Sequence, residues 1–273
     1  MVQVCDREAD IFEFLQHCLD CEQSFVIRAK SDRKVILPTG HPQLLFSCLK
    51  RSPIKTKLAI EIESNSDRKA KTVEATVKFR KVALQVPISN RSAEEARKLS
   101  PIYVTLIEVH SSSKVDGKKL HWRILTDINV EKTSTVLDII KWYTLRWRIE
   151  IFFKTLKSGA KIEGSRLTDL GRLSKYVLMQ SLVAFRVLQL LFAARSKKHS
   201  SIRQLISDEE WRVFKRILFP NKGGASEKTL EWIKRIAQQG GFLQGKGRIP
   251  GVVTLWTGWM ELNTMLSGAK ALG

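Results

Sequence analysis

The order of apolar and polar positions along the chain changes character twice. At the start, Val2–Cys5 reads as the end of a strand. Ile11, Phe14, Leu15 and Cys18 then recur at helical spacing within a helix over residues 6–21, approached by an acidic turn. Phe25-Val-Ile-Arg-Ala is a short β-rich run that predicts a second strand. From 55 to 126 the pattern turns to alternation or near-alternation, in Lys57-Leu-Ala-Ile-Glu-Ile-Glu, Thr72-Val-Glu-Ala-Thr-Val-Lys-Phe-Arg and Val82-Ala-Leu-Gln-Val. Residues 102–109 and 120–125 are strand-like too, and Ser64-Asn-Ser-Asp and Val115-Asp-Gly-Lys separate runs as polar turns. Such alternation predicts an antiparallel sheet, half exposed and strongly basic. After 126 the period becomes helical, predicting one long helix over 133–157 and a second, rich in Leu, Val and Phe, over 173–195. Shorter helices are expected at 208–219, 227–239 and 255–266, with Asn221-Lys-Gly-Gly and Gln239-Gly-Gly-Phe as breakers between them. The expected class is α/β with an all-helical C-terminal part.

Composition narrows the partners. The 273 residues suit one large domain or two modest ones, and 43% apolar content suits a sizeable core. No run approaches eighteen consecutive apolar residues, and the first residues lack a basic segment followed by an apolar one. A cytoplasmic, nucleoid-associated protein with no membrane partner is the expectation. Lys and Arg number 47 against 27 Asp and Glu, a formal net charge of +20. A chain this basic meets a polyanion through counterion release, and nucleic acid is the natural candidate; a surface kept basic for solubility is the plainer alternative. Cys18 and Cys21 form a C-x-x-C beside His17, but Cys5 and Cys48 do not supply a second well-spaced ligand pair. Reduced thiols are therefore expected in place of a zinc or redox centre.

The chemistry concentrates in the 133–157 helix. Tyr143, Arg146, Glu150, Lys154 and Lys157 stand at offsets of 0, 3, 7, 11 and 14. At about 100° per residue they share a stripe roughly 80° wide. Trp142, Leu145, Ile149, Phe152, Phe153 and Leu156 lie on the other side, the face expected to be buried. Cations along a groove bind phosphates. A carboxylate among them would repel that ligand unless it holds a metal, and Mg²⁺ takes one or two carboxylates plus phosphate oxygens. The same spacing also suits an ordinary solvated face, since Arg146 with Glu150 and Glu150 with Lys154 are i,i+4 pairs.

The residue identities add a resemblance. Tyr143-Thr-Leu-Arg-Trp-Arg-Ile-Glu150-Ile-Phe-Phe-Lys-Thr-Leu-Lys157 fits Y-x2-R-x3-E-x6-K. It resembles the signature of the insertion-sequence-four family of DDE transposases, which includes the transposon-five enzyme. Cys5-Asp6-Arg7-Glu8-Ala9-Asp10-Ile11 is similar to the segment around that family's second catalytic aspartate. Gly240-Gly-Phe and Thr254-Leu-Trp-Thr-Gly-Trp are similar to its closing segment. The motifs occur in the family's order over essentially the whole chain.

That resemblance implies a partial RNase H-like catalytic domain over 1–163, interrupted by an antiparallel β insertion at about 50–126. It implies a helical region over 164–273 that pairs protomers, either as a homodimer or with intact transposase. Asp6 and Glu150 would be the second and third carboxylates, catalytic and metal-binding, for two Mg²⁺ or Mn²⁺ ions. Tyr143, Arg146, Lys154 and Lys157 would bind DNA, joined by Arg7 and by Arg28 and Lys30 from the first strands. Trp122 would stack on a flipped base; its other reading is a core residue of the sheet. The implied reaction is two-metal phosphoryl transfer on double-stranded DNA at transposon ends and target, a cut-and-paste transposition. The family places its first aspartate on a strand well before the Asp6 segment, and here the sequence begins five residues before Asp6. The expectation is a polypeptide with two of three carboxylates and weak or no cleavage by itself. It would then act as the larger part of an enzyme, or as a DNA-binding remnant or inhibitor of intact transposase.

Overall fold

A computed structural model of the chain describes residues 1–50, 52–62, 71–87, 94, 99–115, 117–196, 201–220, 227–245 and 248–271. The expected turn at 64–67 and breaker at 221–224 lie outside the described residues. The chain folds as two compact units, Met1–Arg146 and Trp147–Gly273.

The first unit is built on one sheet of β1 (Val2–Cys5), β2 (Ser24–Arg28), β3 (Lys34–Ile36), β4 (Pro42–Leu44), β5 (Thr56–Ile62), β6 (Lys71–Leu84), β7 (Ile102–Val115) and β8 (Lys118–Thr126). Their order is β1-β2-β8-β7-β6-β3-β4, with β5 also paired to β6. β1 and β2 are parallel; the other pairings are antiparallel. The alternating strands of 55–126 are thus continuous with the first two, because β8 pairs β2 through Ile124–Thr126. At the β7–β8 turn, Val115 faces Lys118 and Gly117 takes φ 79°, a region that L side chains avoid.

Each sheet face meets its own core. On one side α1 (Phe12–Asp20) sets Phe12, Leu15 and Cys18 against Phe25, Ile27, Leu106 and Leu125. On the other, α2 (Thr133–Leu145) sets Val136, Ile139, Ile140 and Tyr143 against Val26, Val109 and Ile124. Phe25, Val26 and Ile27 are all buried because both faces of β2 are covered, which is why that strand reads as a continuous apolar run. β6 changes face along its length: Val73, Ala75 and Val77 serve the α2 side, while Val82 and Leu84 serve the α1 side.

The long helix expected over 133–157 is two helices. α2 ends at Leu145, and α3 (Arg148–Ser158) begins after Arg146 and Trp147. Both intervening residues keep right-handed helical dihedrals. The bonds there tighten to i→i+3, from Arg146 N–H to the Tyr143 carbonyl and from Glu150 N–H to the Trp147 carbonyl. No Gly or Pro marks the break, so the sequence carried no signal for it. The face assignment changes as well. Tyr143 is buried with α2's apolar residues, whereas Trp142, Leu145, Ile149 and Phe153, expected inside, are exposed.

The second unit is helical in its described elements: α3, α4 (Leu170–Arg195), α5 (Asp208–Leu218), α6 (Thr229–Gln239) and α7 (Val252–Ala271), with short 3-10 turns. α4 is long and apolar enough to cross a membrane by length and composition, with mean hydropathy 1.8. Its inner residues Ala184, Val187, Leu188, Leu190 and Leu191 form the core with Phe214, Trp232, Ile236 and Leu255. Arg186, midway along it, pairs Glu210 at 3.2 Å. α6 and α7 cross at Gly240 and Gly258, where a Cβ on Gly258 would collide with the Ile236 carbonyl.

Candidate nucleic-acid interface

The parallel pair β1–β2 determines where the acidic motif ends up. β1 stops at Cys5, and Asp6 caps the 3-10 turn Arg7–Ala9, its Oδ1 accepting from Glu8 N–H at 2.9 Å. The carboxylate is half exposed, with Oδ2 4.0 Å from Arg146 Nη1. Arg28, at the end of β2, brings its guanidinium under the same corner. Its Nη2 donates to the His121 carbonyl at 2.9 Å, and Tyr143 lines the same small pocket. Burial pulls the Arg28 guanidinium below its ordinary pKa; Tyr143 opposes the shift, and the charges of Arg7 and Arg146 add to it. Asp6, Arg7, Glu8, Arg28, Tyr143 and Arg146 line one small pocket. Burial likewise pushes the neighbouring Cys5 thiol up, with the Asp6 charge as a second cause.

Trp122 is half-buried on the α2 side of β8, edge-on to Tyr143 with ring centroids 5.2 Å apart. Beside it opens a larger cleft of about 580 Å³, lined by Arg7, Arg28, Lys30, Phe46, Lys119–Arg123 and nothing acidic. Sequence reading singled out Arg7, Arg28, Lys30 and Trp122 from this wall and passed over Phe46, Lys119, His121 and Arg123. The period-2 spacing of Lys119, His121 and Arg123 was the available signal: it puts three basic side chains on one face of β8.

Asp10, also in the acidic motif, has another job. Its carboxylate is wholly buried, paired with Arg33, and accepts from Lys30 N–H at 2.7 Å. It ties the 3-10 turn to the segment after β2. Glu8 pairs Lys30 at 2.7 Å on the surface.

In the second unit Glu150, Lys154 and Lys157 project from α3 and are exposed. Lys157 pairs Glu163 at 2.8 Å. The structure therefore gathers Asp6, Arg7, Arg28, Tyr143 and Arg146 at one corner of the first unit and places Glu150, Lys154 and Lys157 on one helix of the second.

The residues can be tested against a divalent ion by donor chemistry. Asp6 offers hard carboxylate oxygens beside a pocket otherwise lined mostly by cations, which suits an ion held by one or two carboxylates and substrate phosphate. Among the described residues no three His, Cys, Asp or Glu side chains gather to hold an ion. From the first unit Asp6 fits as a single protein ligand. The cysteines are free, with Cys18 and Cys48 buried and Cys21 exposed beside His17.

Arginines gathered around a strand-end carboxylate, on a strongly basic chain, suit contacts with phosphates. The sequence match agrees: the transposase DDE domain family matches residues 4–185, and the chain belongs to that family. Its members are transposases, act on DNA and generally use divalent metals.

Proposed function

We propose that the protein is a cut-and-paste transposase of the insertion-sequence-four, transposon-five-like kind. It would cleave and join double-stranded DNA at transposon ends by two-metal phosphoryl transfer. The observation that carries this reading is the convergence of Asp6, Arg28, Tyr143 and Arg146, from separate segments of the chain, on one pocket. Arg7, Arg28 and Arg146 would hold phosphate oxygens and offset their charge. Tyr143, beside Arg28 in that pocket, would orient the strand. Lys30 at the cleft of the first unit, and Lys154 and Lys157 on α3 of the second, would each bind backbone phosphates. Trp122, supported edge-on by Tyr143, would present its outer face for stacking with a base.

Asp6 and, by the resemblance, Glu150 would each be a carboxylate ligand for Mg²⁺ or Mn²⁺, both of which accept carboxylate and phosphate oxygens. When bound, such ions supply Lewis-acid activation of phosphate and of the attacking oxygen. The catalytic domain would span 1–163, and 164–273 would pair protomers.

The test uses purified protein, DNA from the flanks of its own coding sequence, and Mg²⁺ or Mn²⁺, with Asp6→Ala and Glu150→Ala beside it. Salt-sensitive duplex binding is expected, with metal-dependent cleavage that is lost in both variants. No binding would overturn the reading. Cleavage that stays unchanged in both variants would overturn the roles given to Asp6 and Glu150.

A further inference from the structure

Over its first half α4 turns one apolar side to solvent. Ala184, Val187 and Leu191 face the helical core, while Leu178, Met179, Leu182 and Phe185 stand 62%, 61%, 61% and 58% exposed. Large apolar side chains gathered in water on one stretch of helix mark a binding surface. α3 lies antiparallel beside α4. Arg148 sits over the Phe192 ring at 4.9 Å, and the Tyr176 hydroxyl donates to the Ala160 carbonyl at 3.4 Å. α3 adds Ile149 and Phe153, which are exposed too.

The exposed side has the spacing of a helix-pairing seam. Lys175, Leu178, Leu182, Phe185 and Gln189 follow one another at steps of 3, 4, 3 and 4. At about 100° per residue they form a stripe roughly 80° wide, the arrangement by which two helices pack knobs into holes. Its centre is apolar and one end is basic. Arg172 and Lys175 are exposed, whereas Arg186, the next cation along α4, is turned to Glu210 at 3.2 Å and to the Trp259 ring at 5.2 Å.

This pattern is complementary to itself in one orientation. Two copies side by side in parallel would set Lys175 against Lys175. In the antiparallel arrangement, with a two-fold axis midway between Leu182 and Phe185, each Leu182 meets Phe185 of the other copy and each Leu178 meets Gln189. The two Lys175 side chains then stand about 25 Å apart along the helices. A bilayer is a poorer match. The exposed apolar stretch over residues 178–185 is about 12 Å long, against about 30 Å of hydrocarbon, and much of the rest of α4's apolar surface lies in the core of its own unit.

We propose that two copies of this chain pair through the Leu178–Phe185 face of α4, antiparallel about a two-fold axis. This rests on the reading above that 164–273 pairs protomers, and adds to it the surface and the orientation. Each copy carries a formal net charge of +20. Apolar burial therefore works against charge repulsion, and pairing strengthens as salt screens the charges. Duplex binding weakens under the same change.

The experiment is sedimentation equilibrium of the whole chain in low and high salt, without DNA or metal. The wild type should form a dimer with a micromolar dissociation constant, as suits a small interface, and the dimer should tighten as salt rises. Leu182→Glu and Phe185→Lys should each weaken it about thirtyfold or more, the loss expected at a central anchor. Both variants should keep the wild type's circular-dichroism spectrum, because the replaced side chains are exposed in the single copy. Mixed together, they should pair again, since the antiparallel layer then joins the two opposite charges. Met265→Glu, on the exposed side of α7, should leave the dimer unchanged. A dimer that survives Leu182→Glu, or that is lost in Met265→Glu instead, would overturn this surface and leave pairing by 164–273 standing. Failure of the mixture to pair would overturn the antiparallel arrangement. A wild type that stays monomeric throughout would overturn both readings, and its flotation with phosphatidylcholine vesicles would give the face to a lipid surface.

Discussion

Replacing Asp10 strands a charge in the interior. Its carboxylate is fully buried, with Arg33 as ion partner and Lys30 N–H as a donor. Removing one partner of such a buried pair typically costs about 3–5 kcal/mol, because the other charge is left uncompensated. Asp10→Ala should lower the stability of the first unit by that order in urea denaturation, while Glu8→Ala, which frees only an exposed Lys30, should change it little. Two neighbouring acids of one motif therefore separate into fold and surface, and a denaturation curve distinguishes them. The thiols separate in the same way. Burial pushes Cys48 up to about 11, and burial also raises Cys18, while Cys21 is exposed. Only thiolate reacts, so at pH 8 a disulfide reagent should modify Cys21 first and reach Cys48 only on unfolding. Rapid labelling of Cys48 in the folded protein would contradict the packing of the 45–49 segment.

At the level of elements, the α6–α7 crossing is the most sensitive joint. Gly240 and Gly258 let the two helices approach until a Cβ on Gly258 would meet the Ile236 carbonyl, and a Cβ on Gly240 would lie 2.6 Å from Gly258 N. Neither obstacle is a flexible side chain. Gly258→Ala must force the helices apart, at a cost of about 1–3 kcal/mol or more. A circular-dichroism melt should show it as a lower transition for the helical unit, and an unchanged melt would mean that the two backbones have room to separate freely. The sheet shows the opposite economy. β8 gives one face to the α2 core through Trp122 and Ile124, while its other face carries Lys119, His121 and Arg123 along the cleft before Leu125 joins the α1 core. Trp122 illustrates this directly, since it packs on Tyr143 and also lines the cleft.

For the whole molecule, the net charge of +20 sets what the proposed DNA binding should look like. If about six or more phosphates are neutralised, affinity should fall about a thousandfold or more between 50 and 200 mM salt. A slope near zero would leave the charge as a solubility device only. Neutralising Arg7, Lys30 and Lys119 together should flatten the slope by about 0.9 for each phosphate that is no longer paired. The size of that change would show how much of the excess charge faces the ligand.

The sequence by itself determined the local order of this protein. The alternation of 55–126 required strands, the 3.6-residue period after 133 required helices, and the excess of Lys and Arg favoured an acidic partner. The spaced identities of Asp6, Tyr143, Arg146 and Glu150 pointed to a DDE transposase before any contact was known, and the match over 4–185 agrees with that class. These features are legible because each depends on neighbours within a few residues. Tertiary structure decided what local periodicity cannot encode. It joined β8 to β2 in one sheet, buried Tyr143 while leaving Trp142 outside, and made Asp10 a structural clamp. It also ended one helix at Leu145 without a Gly or Pro, and placed Lys119, His121 and Arg123 on a wall shared with Arg7 and Arg28. Which face of a helix is inside depends on the surface that packs against it. Which cations share a cleft depends on strands about a hundred residues apart in the chain, as Arg28 and Arg123 are.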